Sequence, residues 1–366
     1  VIASNYAGYS GSTLPYHPYL NANQQSADVI DAWRASQILV DIAGLTIGTR
    51  SSGKLFITGY SQGGFVALAT HRALQAAGVR VTASAPGSGP YAIAALADAL
   101  IEGEVDLGAT IFTTLVVTSY QRAYGNLYAT PAEFYEPAYA QGIETLLPTT
   151  ASFDALVAAG KLPATPLFSL QAPAPQYGNL TPPTAATQVP PTLLPLFALG
   201  FGKANLVRNS YRLSVLQDAF ANPDGAFPTP SASMAPAAHT NQPLREAFRR
   251  NDLRNWVPRA PVQLCGGQSD PTVFFFNARI EQAYWQNAGV APGLTTVLDV
   301  DSPVSGANDP YAPIKNGFAQ AKAAVAAQAV AAGATDGGAS AVLQAYHGDL
   351  VAPFCLLAAR AFFANF

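Results

Sequence analysis

Residues 54–64 read Lys54-Leu55-Phe56-Ile57-Thr58-Gly59-Tyr60-Ser61-Gln62-Gly63-Gly64. Leu55 to Thr58 is a short, apolar, β-prone run. Gly59 to Gly63 then fits the pattern Gly-x-Ser-x-Gly, and a helical pattern follows at once. Strand, sharp turn and helix, with a serine at the apex, is the geometry a nucleophilic hydroxyl needs. The tight turn lifts the side chain clear of the backbone, and glycines on either side let strand and helix approach. The pattern alone is weak in a chain with 30 glycines; its flanks make Ser61 the candidate nucleophile.

Outward from this turn the chain alternates strand and helix. Val1 to Asn5 reads as a strand and Tyr6 to Ser12 as a Gly/Ser-rich loop. Ser26 to Leu45 reads as a helix, with Ser26 as its cap, Asp28 at its positive end, and Val29, Ile30, Trp33 and Val40 as its apolar stripe. The helix after Ser61 runs to Ala77 and stops at Gly78; Val79 to Ala85 reads as the next strand. These are βαβ units and predict a parallel sheet. Beyond about Glu102 the rhythm breaks. Helical patterns continue, but no strand series appears before Pro258. Within this region Leu162 to Gly202 contains no Asp, Glu, Lys or Arg, and nine prolines lie between Pro163 and Pro195. Disorder goes with charge and low hydrophobicity, whereas Leu167, Phe168, Leu193, Leu194 and Phe197 make this segment apolar. It reads as an ordered, loop-rich part of a cap; the rival reading is a flexible Pro-rich linker.

The sheet pattern resumes with strands at Ala260 to Leu264 and Thr295 to Val300, separated by a helix bearing Phe276, Ile280 and Tyr284 on one face. An Ala-rich helix, roughly Ile314 to Ala331, follows. Ala341 to Tyr346 reads as an extended run leading to His347, and the last helix spans about Leu350 to Phe366. The expected organisation is a core of residues 1–103 and 256–366 with a mainly helical cap, 104–255. Only one strand precedes the serine strand, so the N-terminal strands of the sheet are expected to be missing or reduced.

Only 11% of the residues are charged, against about 25% in typical soluble domains. Yet no uninterrupted apolar run approaches the ~18 residues of a membrane span, so the apolar surface is expected to be buried or to face substrate. A net charge of −3 gives no reason to propose nucleic acid as a partner, because the tightest basic cluster (Arg245, Arg249, Arg250, Arg254) is interleaved with acids. The opening residues do not read as a signal peptide.

A serine hydroxyl needs a base within hydrogen-bond reach, and the base needs an orienting carboxylate. In a doubly wound sheet these groups come from the carboxyl ends of strands. Asp270 follows one strand on a Gly/Ser loop, and His347 precedes the last helix. The order Ser61, Asp270, His347 is that of the α/β-hydrolase triad. Asp270 also suits the N-cap of the helix it opens. Asp299, Asp301 and Asp309 are rival acids, and as a group they fit either a solvated loop or a loose calcium site. Among the other histidines, His71 points away from Ser61 along the helix, His17 lies in an early loop, and His239 lies in the cap. Cys265 lies five residues before Asp270, and Cys355 lies eight after His347. A disulfide between them would hold the acid and base loops and favours a secreted or periplasmic protein; the alternative is two buried thiols. One oxyanion donor is expected at the Gln62 N–H. The second donor is unassigned, with Ala7, Gly8 and Tyr9 as the only local candidates.

With these residues in place the chain resembles the α/β-hydrolase superfamily and, more narrowly, the secretory lipase family that includes the fungal lipase A type. The resemblance rests on Ile2-Ala-Ser-Asn-Tyr6-Ala-Gly8, on Gly59 to Gly64, on Ser269-Asp270 and on His347-Gly348, and covers residues 1–90 and 255–366. Asn5 stands where that family usually has Asp. The resemblance implies a doubly wound, mostly parallel sheet with a large helical cap bearing the acyl pocket, and an exported esterase or lipase that needs no cofactor. The charge-free cap favours hydrophobic esters, polyesters among them, and contact with a lipid or polymer surface. A serine peptidase or amidase, and a non-catalytic hydrolase-fold binding protein, remain as alternatives.

Overall fold

The computed structural model describes residues 1–366 with the exception of Leu45 and Ile47. Four strands, β1 (Phe56–Tyr60), β2 (Ala83–Gly87), β3 (Val262–Gly266) and β4 (Thr295–Asp299), form one sheet in the order β1-β2-β3-β4. Every pair is parallel, with Phe56 opposite Ala83, Ser84 opposite Val262 and Val262 opposite Thr295. β2 and β3 are buried along their whole length, as strands covered on both faces must be.

Alternation along β1 shows what covers each face. Ile57 packs with Ala67 and Leu74 of helix α2 (Gln62–Ala76), and α1 (Ala22–Ile47) lies outside α2. The neighbouring Phe56 points to the opposite face. There its ring centroid lies 4.8 Å from that of Phe363, at the end of the C-terminal helix Ala352–Phe363. That helix crosses β1, β2 and β3 and is bonded to β3 through Cys265–Cys355, whose Cα atoms are 5.6 Å apart.

Between β2 and β3 the chain adds no strand to the sheet among the described residues. It builds the helices Ile93–Ile101, Ala109–Tyr124, Asn209–Ala221 and Pro243–Asn251, with short helical turns and long irregular stretches between Tyr124 and Asn209. The proline-rich stretch packs as apolar chain: Leu162, Leu167, Phe168, Leu193 and Phe197 are all buried. Two buried guanidiniums tie the region together. Arg245 reaches Asp98 at 2.7 Å and Asp218 at 2.8 Å, and Arg254 reaches Asp224 at 2.8 Å and Asp252 at 2.9 Å. Buried charge survives only when paired in this way.

Three expectations are corrected. Val1 to Asn5 is not a strand. A strand needs a ladder partner; here the outermost strand, β1, pairs only with β2. The following backbone turns instead, with the Tyr6 N–H donating to Ser4 Oγ and the Ala7 N–H to Asp28 Oδ2. Ala341 to Tyr346 is not extended either. It lies in a helix, Ala339–Ala345, that passes through a π turn, Tyr346–Val351, into the C-terminal helix. Its Ala and Leu residues favour helix, and the Asp336 carboxylate accepts the Gly338 and Ser340 N–H groups at its start. Helix α1 begins at Ala22, capped by the Asn21 side chain, rather than at Ser26; Leu45, where the sequence reading ended it, lies outside the described residues. The continuous helical run Ala339–Phe363 is also long and apolar enough, by length and composition alone, to cross a membrane. Here it is bonded to β3 through Cys355 and packs on the sheet.

Candidate active site

Ser61 sits between the last residue of β1 and the first of α2, with φ 57° and ψ −122°. This strained backbone is what a sharp strand-to-helix turn imposes. The glycine requirement is steric and local. A Cβ on Gly59 would lie 2.1 Å from the Gly63 carbonyl oxygen, and one on Gly64 would lie 2.3 Å from that of Gly87. Gly63 itself meets nothing. The Ser61 N–H donates to Gly87 O at 2.9 Å, which pins the turn to the end of β2.

The turn presents the Ser61 hydroxyl to His347, with Oγ 2.8 Å from Nε2. Nδ1 of the same ring lies 2.8 Å from Asp270 Oδ2. A carboxylate can only accept, so the ring proton sits on Nδ1, and Nε2 accepts the serine hydroxyl. Asp270 is fully buried, and its other oxygen accepts the Thr272 and Val273 N–H groups at 3.0 and 3.1 Å. The carboxylate therefore both caps its loop and holds the imidazole. A hydroxyl held in this way can pass its proton to the imidazole as it attacks an electrophile.

The three groups come from the carboxyl ends of β1 and β3 and from the π turn, and their neighbours fix them. The Tyr60 hydroxyl donates to the His347 carbonyl oxygen at 2.6 Å. The Tyr346 hydroxyl donates to Asp301 Oδ2 at 2.6 Å and accepts the Ser269 N–H at 3.1 Å, joining the segments that carry His347 and Asp270. Burial, with Asp301 adding to it, raises the Tyr346 pKa and keeps the phenol neutral. The rival acids have other partners. Asp299 accepts the Gln268 and Asp301 N–H groups, Asp301 also pairs with Lys322, and Asp309 pairs with Lys315 at 2.8 Å. No group of three or more His, Cys, Asp or Glu suited to a metal occurs among the described residues. His71 is buried against Ser84, with Nδ1 2.8 Å from its hydroxyl, and His239 is exposed.

Gln62 opens α2, so its N–H belongs to the first turn, which has no helical acceptor, and it has no protein partner among the described residues. Ala7, Gly8 and Tyr9 do not supply the second donor: their N–H groups go to Asp28, Ser12 Oγ and the Tyr6 carbonyl. His17 is what joins that loop to the serine turn, and its order along the chain carried no signal of this. Its Nδ1 lies 2.9 Å from Ala7 O, and its Nε2 lies 2.6 Å from the Gln62 side-chain nitrogen. Nδ1 therefore donates to the carbonyl and Nε2 accepts from the amide. Burial lowers the His17 pKa and favours this neutral form, against the smaller opposing influences of the Ala7 bond and Asp28.

Ser61 lines a narrow cavity of about 100 Å³. Ile93, Leu96, Ile101, Val116, Phe134 and Phe168 make most of its wall apolar. Its lining is drawn largely from the excursion between β2 and β3, with Tyr19, Leu20, Thr272 and Val273 from the core.

The disulfide bears on this geometry, since Cys265 lies on the strand that leads to Asp270 and Cys355 just beyond His347. It spans 90 residues, and in the chain-entropy picture closing such a loop is worth about 4–5 kcal/mol. The Cys265→Ala/Cys355→Ala double variant is expected to lose about that much unfolding free energy in urea titrations. A loss well under 1 kcal/mol would show that packing alone holds the two segments.

The sheet, the serine turn and the hydrogen-bonded trio define an α/β-hydrolase fold, and solved structures agree. The chain is similar to the rice cell wall degrading esterase LipA from Xanthomonas oryzae at TM-score 0.59 and 23% identity, over 86% of this chain and 67% of that one. A ligand-bound form of the same esterase matches at TM-score 0.58 and 23% identity, over 85% and 66%. A candidate hydrolase from Legionella pneumophila matches at TM-score 0.54 and 18% identity, over 81% and 62%. The chain thus spans about two thirds of the length of these structures. At such low identity the likeness establishes the fold. No protein-family model and no curated protein matches the sequence.

Proposed function

We propose that this protein is a serine hydrolase of hydrophobic carboxylic esters, an esterase or lipase of the secretory lipase kind. The observation that carries the reading is the hydrogen-bonded chain Asp270–His347–Ser61, closed at 2.8 Å on both sides of the imidazole and opening on an apolar cavity. As Ser61 Oγ bonds to the ester carbonyl carbon, its proton passes to His347 Nε2. Asp270 holds the Nδ1 proton and stabilises the imidazolium. The developing oxyanion meets the Gln62 N–H. The C–O bond to the alcohol then breaks, and the alcohol leaves with the Nε2 proton. A water, deprotonated by the same nitrogen, attacks the acyl-enzyme, and Ser61 Oγ leaves with that proton.

On this reading residues 104–255 form a cap that seats the acyl chain, and its apolar side meets lipid or polymer surfaces. The disulfide and the likeness to a cell wall degrading esterase support an extracellular or periplasmic location. A peptidase or amidase would share the trio, but a cavity lined by no Lys or Arg among the described residues offers nothing to a peptide carboxyl end. A fluorophosphonate probe is expected to label Ser61 alone, with p-nitrophenyl esters turned over and the matching p-nitroanilides not. An unlabelled Ser61 would sink the proposal, and anilide turnover at the ester rate would turn it into an amidase.

A further inference from the structure

The cavity beside Ser61 is apolar with one pronounced exception. Asp106, between the helices Ile93–Ile101 and Ala109–Tyr124, is the only carboxylate lining it among the described residues, and no Lys or Arg lines it. Asp106 is 9% exposed, and its Oδ1 is buried with no hydrogen-bond partner. The residue is held where it is by the backbone: the Leu107 N–H donates to Pro271 O at 2.7 Å, next to Asp270. Buried polar groups without partners are rare and costly in folded proteins. Asp106 combines such an unpartnered oxygen with a place in the cavity lining, so a ligand hydroxyl that reaches the carboxyl would complete its hydrogen bonding.

We propose that Asp106 is a specificity-determining residue that binds a hydroxyl on the acyl chain, so that the preferred substrates of this site are hydroxyacyl esters rather than plain alkanoates. This rests on the serine-esterase reading above and names its substrate class. Burial, together with the charge of Asp270, raises the Asp106 pKa well above the ordinary carboxylate range. A neutral carboxyl has one O–H to give and a carbonyl oxygen to accept with. A hydroxyl matches both roles, an ether or ketone only one, and an ammonium would need the ionised form. Tyr19, which also lines the cavity, and Thr272 beside the Asp270 loop flank the same wall.

The test compares kcat/KM for p-nitrophenyl octanoate with octanoates carrying one hydroxyl near the carbonyl, at mid-chain or at the far end. The wild-type protein is expected to prefer one of the hydroxylated isomers over plain octanoate by at least about tenfold, the scale of one buried hydrogen bond. Asp106→Leu is expected to reverse that ratio, and Asp106→Asn, which keeps a donor and an acceptor, to retain most of it. A wild-type ratio near one overturns the proposal without reference to any variant. So does a ratio that Asp106→Leu leaves unchanged. If plain octanoate is hydrolysed in either case, the serine-esterase reading stands while the Asp106 assignment falls. If no ester is hydrolysed and the fluorophosphonate leaves Ser61 unmodified, both fall together.

Discussion

Ser61→Ala is expected to lower kcat on p-nitrophenyl esters by about 10⁶-fold and to leave the unfolding midpoint in urea close to that of the wild type. The size of the loss follows from the wiring. Among the described residues the only side-chain hydrogen bond that Ser61 makes is to His347 Nε2, so on the proposed mechanism removing Oγ removes the attacking atom and leaves the imidazole with nothing to activate. The small effect on stability follows from the backbone. The turn is held by the Ser61 N–H to Gly87 O bond and by the Gly59 and Gly64 contacts, none of which involves Oγ. The Gly64 and Phe65 N–H groups bond to the Ser61 carbonyl, which alanine retains. An alanine variant that keeps a substantial share of ester turnover would show that another group attacks. One that unfolds would show that the strained turn depends on the hydroxyl.

What could be read from the sequence around Ser61 was what local sterics encode. Gly59 and Gly64 are needed because backbone atoms four residues away, or across at the end of β2, leave no room for a Cβ, and that requirement writes itself into a short pattern. Cys265 and Cys355 were legible for a similar reason, since few residue types carry so specific a bond. Chain order singles out His347, and the structure brings it against Ser61 and Asp270, although the residues leading to it are helical and not extended. The π turn that carries it is set by Tyr60, Asp301 and Ser269, all distant in sequence, while the local alanines signal only helix. Val1 to Asn5 shows the opposite limit: β-prone residues make no strand where the backbone that follows turns away, as it does here through the Ala7 N–H bond to Asp28. His17 and Asp106 were beyond sequence reasoning because neither stands in a motif. His17 is placed by the Ala7 carbonyl and the Gln62 amide, and Asp106 by the apolar cavity wall it interrupts.

Asp270→Asn is expected to cost about 10⁴-fold in kcat while preserving the positions of all three side chains. On the proposed mechanism the loss comes from proton placement. Oδ1 of Asp270 accepts two backbone N–H groups, from Thr272 and Val273. An asparagine must keep an oxygen there, because an amide NH₂ facing two N–H donors would leave three buried donors without an acceptor. Its NH₂ is then turned toward His347 Nδ1, which must present a lone pair instead of a proton. The ring proton moves to Nε2, the nitrogen that faces Ser61 Oγ, and a protonated Nε2 cannot receive the serine proton. Asp270→Ala lacks this forced orientation and leaves Nδ1 free to bond water. It is expected to be impaired through loss of the carboxylate but to retain more activity than the asparagine variant near neutral pH. Parallel kcat measurements on the two variants, with nitrogen-15 shifts of the His347 ring to report which nitrogen carries the proton, check the ordering. An asparagine variant with the proton still on Nδ1, or with activity near that of the wild type, would mean that Asp270 does not orient the base.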